Sequence, residues 1–283
     1  MLSYRLLTAA DFTSLYECFL VAFSDYLVDM QMSEQEFAQR LARDGVQLEL
    51  SAAAFDDERM IGFYMNGYGQ WQGKQTAYDA GTGVVPDNRS RGVAKDLFAF
   101  VVSRLKERSV SQYLLEVLST NERAVALYRK LGFVEVRRLA VLRSQLALEP
   151  LDDLAEVELR RLEEPDWKLF QTFWDGYPSW QNSIAAVERV PNDRLIVGAH
   201  VDGKCVGYGI AFTPAANLMQ LAVVPAYRRK GIGSRILRAL SAGETLKVNN
   251  IDEELKGTLG FFEANGFKIM LEQFEMTNTI TAE

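Results

Sequence analysis

Two eleven-residue stretches, VVPDNRSRGVA at 84–94 and VVPAYRRKGIG at 223–233, share an apolar pair, a proline, a basic run and a glycine in the same order. Pro86 and Pro225 are 139 positions apart, as are Arg91 and Lys230, and Gly92 and Gly231. A Gly-Phe pair follows in each half, at Gly132-Phe133 and Gly266-Phe267, so the later copy is five residues shorter between loop and pair. A repeat in fixed register over 283 residues constrains the chain to two copies of one domain, in keeping with typical domains of roughly 100–200 residues. The expected domains are 1–147 and 154–283, with LEPLDD at 148–153 as linker.

Periodicity predicts the elements of the first copy. A strand at 3–7 precedes helices at 10–23 and 33–43. Three antiparallel strands at 46–55, 60–71 and 75–85 follow, linked by the tight turns DDER and QGK. Val93, Leu97, Val101 and Leu105 make the apolar stripe of a helix over 92–108, and a strand at 110–118 comes next. Ser119 and Glu122 match a capping box for one more helix, which ends at Gly132 before a strand from Phe133. The second half repeats this order with a strand at 155–162, helices between 165 and 189, and a hairpin over 195–212 turning at VDGK. Each copy is therefore α/β of the α+β kind, a mixed, largely antiparallel sheet flanked by helices.

A strand that ends just before a helix presents the first helical N–H groups, with the positive end of the helix dipole, to whatever lies in front of them. Gly92 removes a side chain there, Ala94 keeps the next turn small, and Arg89 and Arg91 add charge suited to phosphate oxygens. Arg228, Arg229, Lys230, Gly231 and Gly233 repeat the arrangement more strongly. A Walker-type phosphate loop is excluded, because neither copy carries Gly-Lys-Ser/Thr. GIGSRI matches the start of a dinucleotide fingerprint, but Ile236 stands where its third glycine belongs and hairpins precede both loops.

Composition excludes several classes. Cys18 and Cys205 are too few and too distant for a disulfide framework, and with His200 as the single histidine no zinc site or Ser-His-Asp triad is expected. A net charge of -7 argues against general nucleic-acid affinity. The chain has no leader-like start and no run near the roughly 20 apolar residues of a membrane span, so a cytoplasmic location without membrane association is expected.

Both halves resemble GNAT-superfamily N-acetyltransferases. The signature Gln/Arg-x-x-Gly-x-Gly/Ala is met by Arg89, Gly92 and Ala94, and by Arg228, Gly231 and Gly233, with NERAVALYRKLGF and GTLGFFEANGF at the right distance behind. The resemblance spans nearly the whole chain and implies two tandem acyl-CoA N-acyltransferase domains. Each loop (Arg89, Ser90, Arg91, Gly92, Val93 and Ala94; Arg228, Arg229, Lys230, Gly231, Ile232 and Gly233) would cradle the pyrophosphate of acetyl-CoA. The strand before it (Gly83, Val84 and Val85; Ala222, Val223 and Val224) would pair with the pantetheine arm, and Asn121 would also contact the cofactor. A further implication is direct acetyl transfer in a ternary complex to a primary amine of a small molecule or peptide N-terminus.

Such chemistry needs a neutral amine, a polarised carbonyl and a stabilised thiolate. An alkylamine with a pKa of about 10.4 is mostly charged at pH 7, so a base should take its proton. Asp79, on the strand entering the loop, is the candidate base, with Glu116 a weaker one, and Tyr128 stands where the resemblance places a general acid. Counting back from each Gly-Phe pair, its counterpart is Phe262, which has no proton to give, so the first domain is expected to be the catalytic one. Asp25 and Asp29, with Glu34, are available in FSDYLVDMQMSE to hold a cationic acceptor. Trp174, Tyr177 and Trp180 in the second copy are expected to pack between domains. A non-catalytic acyl-CoA-binding or regulatory protein is the alternative, and a monomer is the default with a dimer left open.

Overall fold

The computed structural model describes residues 2–149, 151 and 156–280. In the first half β1 (Leu2–Leu6) leads to α1 (Phe12–Ala22) and α2 (Glu34–Asp44), and then to β2 (Ala52–Asp56), β3 (Arg59–Trp71) and β4 (Lys74–Val84). The helix α3 (Val93–Glu107), β5 (Gln112–Leu118), α4 (Glu122–Lys130) and β6 (Val134–Ser144) complete it. The second half runs β7 (Glu158–Leu162), α5 (Trp167–Phe170), α6 (Ile184–Glu188), β8 (Arg194–Val201), β9 (Lys204–Phe212), β10 (Asn217–Val223), α7 (Ile232–Ser241), β11 (Lys247–Asp252), α8 (Lys256–Ala264) and β12 (Phe267–Thr279).

Local chemistry accounts for most helix ends. Ser33 and Glu36 form a reciprocal capping box on α2, and Gly45 ends that helix at φ 71°, a left-handed position that glycine adopts without strain. The helix α4 differs from expectation: Asn121, not Ser119, is its cap, and the Asn121 side-chain oxygen accepts from the Ala124 N–H at 3.2 Å. The predicted strand over 46–55 is also shorter. Val46 makes a single bridge to Gly67, and a tight turn at Leu48–Leu50 delays β2 to Ala52.

The chain forms two compact units, and their limits differ from the expected cut. One holds the residues up to Val136 together with those from Glu275 on, and the other holds Arg137–Phe274. Main-chain pairing is the reason. In the second unit β6 runs antiparallel to β11, with Leu139 opposite Asp252 and Arg143 opposite Lys247, so the strand after the first Gly-Phe pair belongs to the second sheet. In the first unit the last residues of β12 lie on the β5 side, where the Ile280 N–H donates to the Ser111 carbonyl at 3.0 Å and the Asn278 amide to the Leu131 carbonyl at 2.9 Å. Of the expected linker, Leu148 is buried in the second unit's core, while Pro150, Asp152 and Asp153 lie outside the described residues.

The strand order of the first unit is β1-β2-β3-β4-β5, and that of the second is β6-β11-β10-β9-β8-β7. The pairs β1–β2, β2–β3, β3–β4, β6–β11, β7–β8, β8–β9 and β9–β10 are antiparallel, whereas β4 with β5 and β10 with β11 are parallel. Those two parallel pairs flank the repeated loops.

Met276 and Ile280 are buried, and fully burying such a side chain stabilises by about 1.5–3 kcal/mol. Deleting residues from Glu275 on is therefore expected to cost the first unit roughly 3–6 kcal/mol. In hydrogen exchange, the β5 amides should lose protection while those of β8 and β9 keep it.

Candidate active site

The first unit's site begins with a strand irregularity. Against β3, the register of β4 shifts between Met65↔Gly81 and Asn66↔Asp79, so Ala80 bulges. Against β5, β4 pairs only from Thr76↔Gln112 to Asp79↔Leu115, and beyond that point the strands part. The main chain of 80–84 thus has a partner on one side only, and it leads through a turn at Pro86–Asn88 to the loop. Ser90 at φ 64° and Gly92 at φ 83° turn the loop back on itself before α3. Among the described residues, the N–H groups of residues 90–94 have no main-chain acceptor, which is a concave row of donors at a helix start.

The second unit repeats this construction. The β10 register shifts around Met219, β10 pairs with β11 only at Asn217↔Lys247 and Leu218↔Val248, and Arg229 (φ 61°) and Gly231 (φ 79°) shape the loop. A cavity of about 880 Å³ opens there, bounded by 218–223, the loop, and the starts of α7 and α8. Trp174 and Tyr177 line it, whereas Trp180 is buried within the unit. The Trp174 indole N–H donates to the Tyr208 hydroxyl at 2.6 Å, and that hydroxyl donates to Gln220 at 2.7 Å.

Several residues expected to meet a ligand are used otherwise. The Arg89 guanidinium donates to the Val84 carbonyl at 3.0 Å, the Ala22 carbonyl at 2.7 Å and both oxygens of Asp25 at 2.6 and 2.8 Å. It latches the loop to the end of α1, a bond that a phosphate at Arg89 or a cationic acceptor at Asp25 would have to share. Arg228 repeats the latch on the carbonyls of Val223 and Phe173 and on Asp175, at 2.8, 3.1 and 3.0 Å. Val85, Val93 and Ile232 turn their side chains into the core, so only their main chain faces the loop. The Val85 N–H is spent on Ile61, and that of Val224 on Val206. Asp29 is exposed and accepts from the Gln31 N–H at 2.9 Å. The Ser90 hydroxyl accepts from Arg123 at 2.9 Å, Lys230 lies over the Tyr227 ring, and Arg91 and Arg229 stay at the exposed surface. A Cβ on Gly233 would stand 3.1 Å from Phe261, which explains the small residue.

The two residues expected to carry chemistry come together. The Tyr128 hydroxyl donates to Asp79 Oδ2 at 3.3 Å, and its ring packs edge-on against Phe133. Asp79 also accepts from the Thr82 hydroxyl at 2.6 Å and from the Gly81 N–H at 3.0 Å. Only 7% of Asp79 is exposed, and burial outweighs these bonds, raising its carboxyl to about 6. Burial and the neighbouring Asp79 charge lift Tyr128 well above the usual phenol range, so it stays protonated. Glu116 is not part of this site; its carboxylate accepts from Tyr78, whose surroundings include Arg43 and Asp44.

Thr82, Tyr26 and Arg40 were not anticipated. Thr82 follows Asp79 at the spacing a bulge brings onto one face, a signal visible in TAYDAGTG. Tyr26 and Arg40 come from α1, α2 and their connection, where no local pattern marks them.

The second unit lacks this pair of side chains. Leu218, which precedes its bulge as Asp79 does in the first unit, is an apolar core residue, and Phe262 packs edge-on against Phe267 where Tyr128 packs on Phe133. Leu255 stands at the start of α8 where Asn121 caps α4. Among the described residues no group of three or more His, Cys, Asp or Glu could hold a metal ion, and no helix is long and apolar enough to cross a membrane.

Comparison with known proteins places two matches along the chain. Residues 12–133 match the acetyltransferase (GNAT) family and residues 192–269 an acetyltransferase (GNAT) domain. A mycothiol acetyltransferase of a Nocardioides species is 32% identical over 124 residues, which cover 40% of this chain and 42% of that protein. One of Rhodococcus jostii is 33% identical over 108 residues, covering 36% and 35%. The chain thus matches well under half the length of these relatives. Among solved structures, a tandem GNAT protein from the clavulanic acid biosynthesis pathway superposes over 100% of both chains with a TM-score of 0.77 at 15% identity. A GCN5-related N-acetyltransferase from Sphaerobacter thermophilus gives 0.75 at 12% identity, covering 99% of this chain and 96% of that one. At such identities the likeness is one of fold.

The raised carboxyl of Asp79 has a cost in stability. Because its folded value of about 6 lies above its ordinary 3.8, ionisation favours the unfolded chain, and the penalty builds as pH rises through that window. Asp79→Asn is expected to stabilise the protein by up to about 3 kcal/mol at pH 8 and not at all below about pH 4, read from urea unfolding at both pH values.

Proposed function

Because the chain belongs to the GNAT acetyltransferase family and carries two such domains, we propose that its first unit transfers the acetyl group of acetyl-CoA to a primary amine. The acceptor amine, of a small molecule or a peptide N-terminus, attacks directly within a ternary complex. The observation that carries this reading is the Tyr128–Asp79 hydrogen bond at the point where β4 leaves β5.

The residues present suit a CoA ester. The N–H row of residues 90–94 and the exposed Arg91 would hold its pyrophosphate, and the open edge of β4 would take the amide groups of its arm. Acetyl-CoA supplies an activated acyl carbon and a thiolate leaving group. Asp79, ionised above about pH 6, accepts a proton from the ammonium form of the acceptor. Tyr128, held protonated, offers its O–H to the departing sulfur, and the hydrogen bond between the two side chains lets the proton gained by Asp79 return through the phenol. A main-chain N–H on the open edge of β4 would serve the developing oxyanion.

The second unit keeps the loop, the latch and the cavity but has Leu218 and Phe262 in place of the pair. That favours binding of acetyl-CoA there without turnover. The name shared by the two curated relatives supports acetyl transfer as the reaction class and leaves the acceptor of this chain to its own residues.

Thiol release across an amine panel tests the reading. Tyr128→Phe should lower kcat about 100-fold or more with acetyl-CoA affinity unchanged, and unchanged kcat would remove Tyr128 from the mechanism. Wild-type kcat should fall about tenfold per unit as pH drops below about 6, since the base must be ionised. Calorimetric titration with acetyl-CoA should give two sites, and Arg91→Glu should weaken only the one in the first unit, by roughly tenfold.

A further inference from the structure

Resting on acetyl transfer in the first unit, we infer that Arg40 reads a carboxylate on the acceptor, which makes the preferred substrate an amino acid or another amine with a nearby carboxylate. Arg40 projects from α2 to the bulge of β4. Its Nη2 donates to the Ala80 carbonyl at 3.2 Å, one residue from Asp79, and its guanidinium lies over the Phe19 ring with Cζ 5.5 Å from the centroid.

The protein leaves this cation short of acceptors. Asp44, the carboxylate beside it, is hydrogen-bonded to Arg43 at 2.8 Å and meets Arg40 only as an ion pair, with Nε 3.9 Å away and beyond hydrogen-bond range. Buried Nε has no hydrogen-bond partner, although a guanidinium has five N–H groups to satisfy. The side chain still keeps 21% of its surface exposed, away from the buried Nε, and that is the part a ligand would meet. A buried charge with open donors is costly, and a planar carboxylate is the group whose geometry it fits.

The position is as telling as the deficit. Burial lifts the phenol of Tyr26, on the connection between α1 and α2, while the Asn121 side chain and the Arg40 charge lower it and the Asp79 charge raises it, so one ring senses both charges. The first unit therefore offers a base for an ammonium group at Asp79 and, on the carbonyl of the next residue, a cation for a carboxylate. The acidic residues of the same connection have partners of their own: Asp25 is paired with Arg89, and Asp29 accepts from the Gln31 N–H.

The test pairs L-amino acids with their carboxamides, which share the amine and side chain and differ in charge at one end. Wild-type protein should prefer the acids by roughly ten- to a hundredfold in kcat/KM, carried by KM. Arg40→Met should erase that preference by raising KM for the acids while amide kinetics stay within about twofold, and Arg40→Lys should restore part of it. Equal loss for acids and amides, or a wild-type preference for amides, overturns the proposal. Calorimetric binding of the same pairs, with acetyl-CoA affinity as the control for folding, is read independently of turnover. If no acceptor is acetylated but acids bind more tightly than amides only when Arg40 is present, the carboxylate site stands and the transfer reading falls; no discrimination in either assay overturns the carboxylate site.

Discussion

From Ala80 to Val84, β4 is hydrogen-bonded on one side only, because its parallel pairing with β5 stops at Asp79↔Leu115. Main-chain groups left open at the heart of a sheet are costly unless something else engages them. Three features of the first unit answer that cost. The bulge turns the Ala80 carbonyl to Arg40, Asp79 accepts the Gly81 N–H, and Arg89 takes the Val84 carbonyl at the strand's end. What is still open is a stretch of strand edge running into a row of loop N–H groups, and a ligand rich in amides and phosphates is its natural complement.

The second unit shows that this scaffold and its chemistry are separable. Its strands part after a bulge in the same way, its Arg228 closes the same latch, and its loop uses the same pair of left-handed residues. Yet where the first unit holds Asp79, Tyr128 and Asn121, the second holds Leu218, Phe262 and Leu255. A groove lined by main-chain groups tolerates many side chains, so it can persist in a copy that holds none of these three polar residues. A buried carboxylate raised to about 6 weakens the fold at neutral pH, and a leucine in its place removes that burden.

What could be read in the sequence was local or repeated. The loop, its glycines, the helix stripes and the Tyr128/Phe262 contrast all follow from short spacings that recur in both halves. The latch of Arg89 on Asp25 carries no local signal, because the two are 64 residues apart and meet only once α1 packs beside β4. Arg40 carried no signal at all: a basic residue on an amphipathic helix reads as a solvated one until the strand beneath it is known to bulge. The exchange of strands was hidden for a related reason. Nothing in the residues of β6 says whether their main chain will pair with their own half or with β11, since ladder hydrogen bonds are the same for either.

One environment sets two acid strengths usefully apart. Burial disfavours the charged form of Asp79 and of Tyr128 alike, but the two start from different values and have different company. Asp79 has the Gly81 N–H and the Thr82 hydroxyl to hold part of its charge, which stops its rise near neutrality, where a base is most useful. Tyr128 has the Asp79 charge itself as neighbour, which drives it further from ionisation and keeps its proton available. Had the pair been exposed, the carboxylate would be too weak a base and the phenol less firmly a donor. The depth at which β4 and β5 part therefore sets how far burial moves both groups, and the Thr82 hydroxyl, which lowers both, acts against it.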